Sequence, residues 1–125
     1  MKTIEFLYPA MPLAFNFFCD KATEITSGVY TGGSWNDAEL APGITYLKLN
    51  GEDREILVHN FGLQESAKVN NEVFGIVVTL HFLSHVTFRL REGQILEEAI
   101  TRFHKLRAWV MENHKDAGVI AMLLD

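Results

Sequence analysis

One cysteine, three prolines and the lack of any long unbroken apolar run set the first limits on this 125-residue chain. The lone Cys19 excludes an internal disulfide and any zinc motif built from several cysteines. It follows Phe17 and Phe18, where a buried small hydrophobe is expected. No segment approaches the roughly 20 apolar residues needed to cross a bilayer. Lys2, Ile4, Phe6 and Leu7 superficially suggest a targeting segment, but Glu5, Pro9, Pro12 and Asn16 interrupt it and no clean cleavage site follows. The expectation is a cytoplasmic protein with no membrane partner. Excess positive charge is also missing, since 11 Lys and Arg face 16 Asp and Glu for a net charge of −5. Strong direct DNA binding, which rests on neutralising phosphates, is therefore not expected. The same charge is too mild and too mixed to imitate DNA. The most acidic stretch, from Asp37 and Glu39 to Glu52, Asp53 and Glu55, is interrupted by Lys48 and Arg54 and reads as a solvated face.

What is present suits a single globular domain over residues 1–125, with 48% hydrophobic and 22% charged residues and no repeat or linker. A first helix is predicted from Pro12 to Thr26, stopped by Ser27-Gly28. Val29 to Trp35 reads as a strand carrying the Gly32-Gly33 pair, and Asn36 to Gly43 as a connection. Ile44–Leu49 and Glu55–Phe61 read as strands, and Asn50-Gly51 between them signals a hairpin. Asn70 is placed to cap a helix through the run Val73–Val86, which is apolar on nearly every side and so central. Leu96, Ile100, Phe103, Leu106 and Val110 give helical periodicity over Gln94–Asn113, and Asp116 can cap a last helix through Leu124. The order predicts an α+β domain. It comprises a small antiparallel sheet of three or four strands packed with about four helices, in a single layer on one face.

A search for chemistry finds little. His81 and His85 share a helix face, as two zinc ligands would, but Phe82 stands where a metalloprotease has its glutamate. Packed or hydrogen-bonded histidines are the plainer reading. Cys19 paired with a histidine would make a nucleophile only in an electropositive, partly exposed setting that nothing nearby supplies. No nucleophile elbow, phosphate loop or dinucleotide fingerprint is present. Tyr30 and Trp35 are candidates for partner contact, with core packing the more frequent role of such residues. No catalytic residue, metal ligand or cofactor is assigned.

The stretch Y-T-G-G-S-W, Tyr30 to Trp35, resembles the Y-x-G-G-x-W signature of the ArdB/KlcA antirestriction family. Phe74 to His85, F-G-I-V-V-T-L-H-F-L-S-H, is similar to that family's G-I-V-x-S-L-x-x-L-x-H helix. F-H-K-L-R, Phe103 to Arg107, resembles its Y-H-x-L-R. The last stretch, H-K-D-A-G-V-I-A-M-L-L-D from His114 to Asp125, resembles its H-P-E-A-G-x-I-x-x-x-I-D ending. The four occur in the family's order over residues 27–125. One departure stands out: an aromatic-rich strand with an N-G-G-F-Y turn usually follows the Trp, and here only Gly43 and Tyr46 match it.

The resemblance implies a non-enzymatic inhibitor of type I restriction–modification enzymes that protects incoming mobile DNA, plasmid or phage. It would act without charge mimicry, on a protein partner such as a type I restriction complex. Its binding residues would be Tyr30, Gly32, Gly33, Trp35, His85, His104, Arg107 and Asp125. Two alternatives remain: a non-catalytic interaction module of the same fold with another target, or a small hydrolase or metal protein using His81, His85 and Cys19.

Overall fold

The computed structural model describes residues 2–30 and 32–124. Two helices, α1 (Lys2–Glu5) and α2 (Ala14–Ile25), precede four strands: β1 (Trp35–Ala41), β2 (Ile44–Leu49), β3 (Ile56–Asn60) and β4 (Glu65–Val69). Helices α3 (Asn71–Thr87), α4 (Gln94–Asn113) and α5 (Ala117–Leu124) follow. The α+β class is as expected, and each of these helices touches at least one strand.

Helix α3 is the hub. The Asn70 side chain accepts from the Val73 N–H at 2.9 Å, satisfying one of the free donors at the helix start. Every residue from Val73 to Leu80 is buried, as are Phe82, Leu83 and Val86. The near-continuous apolar run is therefore explained by cover on several sides: α2, α4, α5 and strands of both ladders pack against this helix.

The strands divide into two antiparallel ladders, β1 with β2 and β3 with β4, where a single sheet of three or four strands was expected. The cause lies on α3. Asn71, Gly75 and Thr79, spaced four apart, form a small and polar stripe on one face of this apolar helix. All three meet the backbone of β2. Asn71 donates Nδ2 to the Leu49 carbonyl at 3.4 Å, and Thr79 Oγ1 accepts from the Leu47 N–H at 3.1 Å. A Cβ on Gly75 would lie 2.3 Å from the Leu47 carbonyl oxygen. A helix thus covers the edge of β2 that a third strand would have used, and its side chains satisfy backbone groups that a ladder would otherwise pair.

Three local expectations change with it. Asn50-Gly51 does not join two paired strands; β1 and β2 are joined instead around Pro42-Gly43, with Gly43 at φ +81° and an irregularity between Glu39 and Ala41. The strand expected over Val29–Trp35 begins only at Trp35, because Gly32 and Gly33 take φ of +143° and +156°, outside the β region. The connection expected over Asn36–Gly43 is mostly strand β1, paired residue by residue from Trp35↔Leu49 to Ala41↔Ile44. Strand β4 and helix α1 were not foreseen. The start of α1 is held from a distance, since the Asp37 carboxylate accepts from the Lys2 N–H, the Thr3 N–H and the Thr3 hydroxyl at 2.8, 2.8 and 2.6 Å. Burial works against ionising Asp37, but these hydrogen bonds win and hold it below the usual carboxylate range.

Helix α5 is fixed at its C-terminal end by side chains from elsewhere. Asn60 donates to the Met122 carbonyl at 2.6 Å and His81 Nε2 to the Leu123 carbonyl at 2.9 Å. These carbonyls lie in the last turn, where no intrahelical donor reaches them.

Candidate functional site

The turn between α2 and β1 is built around buried aromatic rings. Thr26 Oγ1 donates to the Ala22 carbonyl at 2.9 Å and accepts from the Tyr30 N–H at 3.1 Å, so the end of α2 fixes where Tyr30 enters the core. Trp35 Nε1 donates to the Tyr30 hydroxyl at 2.7 Å. Trp35 packs edge-on against Phe18 with ring centroids 4.8 Å apart, and Phe74 touches both Trp35 and Tyr30. Trp35 is only 3% exposed. Burying an indole without a partner for its N–H is costly, and Tyr30 supplies that partner.

Between these two rings the chain turns at Gly32 and Gly33. A Cβ on Gly33 would sit 3.0 Å from Leu49 and 3.7 Å from the Tyr30 ring, whereas Gly32 faces open space. Ser34 is stitched to the end of β2 by two hydrogen bonds from Asn50. Outside the turn lies a small cleft of about 160 Å³ lined by Val29, Tyr30, Gly32, Arg54, Ile56 and Leu57, with Glu55 at its edge. Val29 and Leu57 are exposed at its rim. Tyr30, Gly32, Gly33 and Trp35 are thus brought together, with the two rings inside and the glycines at the surface.

The other expected positions lie apart. His85 is half-buried, its ring 5.6 Å from that of Phe17, over which the Arg89 guanidinium sits at 4.2 Å. Burial, aided by the charges of Lys21 and Arg89, lowers its pKa. His81, one turn earlier, spends Nε2 on the α5 carbonyl, and burial lowers its pKa too. His104 is exposed on α4, against the ring of Phe103, and Arg107 is partly exposed three residues on, with no hydrogen bond or ion pair among the described residues. Asp125 lies outside the described residues.

The reactive-group candidates are committed elsewhere. Cys19 is half-buried; burial first, then the charge of Asp20, pushes its thiol pKa up, away from a thiolate. Among the described residues, no group of three or more His, Cys, Asp or Glu is placed to hold a metal ion.

Sequence reasoning missed His114. Its Nδ1 accepts the Asp116 N–H at 3.0 Å and its Nε2 donates to Glu72 at 3.1 Å, tying the start of α3 to the joint between α4 and α5. Both ring nitrogens are engaged, so the pair is a brace rather than a free base. The carboxylate of Glu72, after burial, also acts on Tyr46, whose pKa is pushed up to about 12. The H-K-D-A-G stretch held the signal, an acceptor ring two residues before the N–H it receives.

A family model described as antirestriction protein matches residues 28–125. No curated protein matches the chain in sequence. Among solved structures, one of the KlcA and ArdB proteins superposes with a TM-score of 0.80 at 18% identity, covering 99% of this chain and 86% of that one. It is described as having a novel fold, with antirestriction activity against type I DNA restriction systems in vivo but not in vitro.

Proposed function

The chain belongs to the antirestriction protein family, and from that premise we propose that it inhibits type I DNA restriction inside the cell. The observation that carries this reading is the family match itself, which takes in every element from β1 to α5. Inhibition proceeds by binding a protein partner rather than by catalysis. In support, Cys19 is held toward its thiol form, His81 is bonded to a backbone carbonyl, and both nitrogens of His114 are engaged. Bulk imitation of DNA charge is not the mechanism, because the net charge of −5 includes 11 cations.

The working surface is the Gly32-Gly33 turn with its cleft. Tyr30 and Trp35 act from inside by fixing the turn, while Val29, Arg54 and Leu57 make the contact. His104, Arg107 and Asp125 supply further contacts, and His85 supports α2 through Phe17. Since the solved relatives act in vivo but not in vitro, the activity here also depends on a component that a purified reaction lacks.

Plating of unmodified phage on a type I restricting host, with and without this protein, tests the reading. Expression should restore plating, and Leu57→Asp or Val29→Asp should abolish the effect while leaving the fold intact, since both side chains are exposed. The protein should leave a purified type I endonuclease unaffected. Unchanged plating with folded wild-type protein overturns the proposal.

A further inference from the structure

The far end of α3 presents a second surface that the proposed function does not use. Phe88 caps this helix and is 88% exposed, the barest large apolar side chain among the described residues. Its position is held by the backbone: the N–H groups of Phe88, Arg89 and Leu90 bond to the carbonyls of His85, Val86 and Val86 at 3.2, 3.0 and 3.1 Å. Leu90 and Ile95 pack onto the core on either side of the loop, and the Arg89 guanidinium rests on the Phe17 ring. Phe88 therefore projects from a fixed frame, with Arg91 three residues further along the chain. The residues that follow Phe88, Arg89 to Ile95, line a groove of about 350 Å³ together with Ala10.

The charged residues that line this groove are net positive, opposite in sign to the molecule. Arg89 and Arg91 face the groove against the single carboxylate of Glu92, on a chain whose net charge is −5. Arg91 forms no hydrogen bond or ion pair among the described residues. A fixed exposed aromatic ring beside arginines is the composition of an interface hot spot. We propose that this end of α3 docks an acidic peptide segment of a protein partner, with an apolar anchor residue against Phe88 and flanking carboxylates on Arg89 and Arg91. Nucleic acid is the less suitable occupant, because two arginines beside a glutamate neutralise little of a phosphate backbone and the rest of the molecule repels it. The proposal goes beyond the signature turn and stands independently of type I inhibition.

Selection of a phage-displayed random ten-residue peptide library on the immobilised full-length protein tests it. The expected outcome is enrichment of sequences that combine an aromatic or leucine residue with two or more acidic ones. Their affinity should fall at least about tenfold with either Phe88→Ser or Arg91→Glu, both exposed and free of packing roles. No enrichment overturns the proposal, as does enrichment of basic or uncharged sequences, or affinity indifferent to both substitutions. Tighter binding of a single-stranded oligothymidylate than of any selected peptide, weakened by the same two substitutions, replaces it with a nucleic-acid site.

Discussion

Replacing Gly75 with alanine isolates the contact by which a helix covers the edge of β2. In an isolated helix this substitution stabilises, by about 1 kcal/mol. Here the new methyl would meet the Leu47 carbonyl oxygen at 2.3 Å, with the Leu47 carbonyl carbon and Lys48 Cα each at 3.2 Å. All three are backbone atoms, so no side chain can swing aside. Helix and strand must part by several tenths of an ångström. That movement stretches the bonds flanking Gly75, Asn71 to the Leu49 carbonyl at 3.4 Å and Thr79 from the Leu47 N–H at 3.1 Å. Overpacking of a dense core costs roughly 1–3 kcal/mol. Each of the two weakened hydrogen bonds adds about 1 kcal/mol. After subtraction of the helix gain, the loss is about 2–4 kcal/mol, a large part of the roughly 5–15 kcal/mol that holds a domain folded. Urea denaturation should show a lower midpoint with an unchanged slope, and Tm should fall by roughly 10 °C. Gly118→Ala is the control, because that glycine also lies in a helix but a Cβ there meets nothing within 4 Å. It should be neutral or stabilising. A Gly75→Ala protein as stable as the wild type would refute the account of why β2 has no third strand beside it.

Two further outcomes follow from buried polar groups. Tyr30→Phe removes the acceptor of the Trp35 indole N–H and leaves that donor buried and unpaired, so the urea midpoint should fall by the equivalent of about 1–3 kcal/mol, with a shift in tryptophan emission. Acidification should weaken the fold in two stages, followed by urea denaturation across pH. His81 has a folded pKa below its ordinary 6.5, so its contribution is complete above that value and is lost as pH falls through the folded pKa; Asp37, held below 3.8, follows the same sign at lower pH. His81→Gln should shrink the first stage and Asp37→Asn the second, and identical pH profiles for wild type and variants would remove both assignments.

The helices were legible because each is written in a local code. Asn70 as a cap, the apolar run after it, and the three-and-four spacing from Leu96 to Val110 place α3 and α4 within a residue or two. Strands β2 and β3 were legible for the same reason, being rich in aliphatic residues. Strand pairing was not, because it depends on which edge another element occupies. Strand β1, W-N-D-A-E-L-A, and β4, E-S-A-K-V, have few β-branched residues and become strands through their partners. The stripe Asn71, Gly75, Thr79 was readable in principle as small or polar residues four apart in an apolar helix. What it touches could come only from the fold. Of the candidate site, the Gly32-Gly33 pair was visible in the sequence but was read as part of a strand, whereas Arg54 and Leu57 join Val29 beside it only because the start of β3 passes nearby.

That division bears on how the signature residues are to be interpreted. Tyr30 and Trp35 are bonded to each other inside the core, Gly33 admits Leu49 and Tyr30, Gly75 admits a strand, and His114 braces two helix ends. These residues hold joints between elements, so substituting one tests the fold before it tests a contact. A loss of antirestriction activity in Trp35→Ala would therefore say nothing about where the partner binds. The exposed positions discriminate. Val29, Leu57 and His104 lie at the surface and can be changed without opening the core. A contact at the signature turn predicts that Val29 and Leu57 substitutions abolish protection while thermal stability stays at the wild-type value. If protection instead tracks stability across all variants, the turn is a structural joint and the partner binds elsewhere on the molecule.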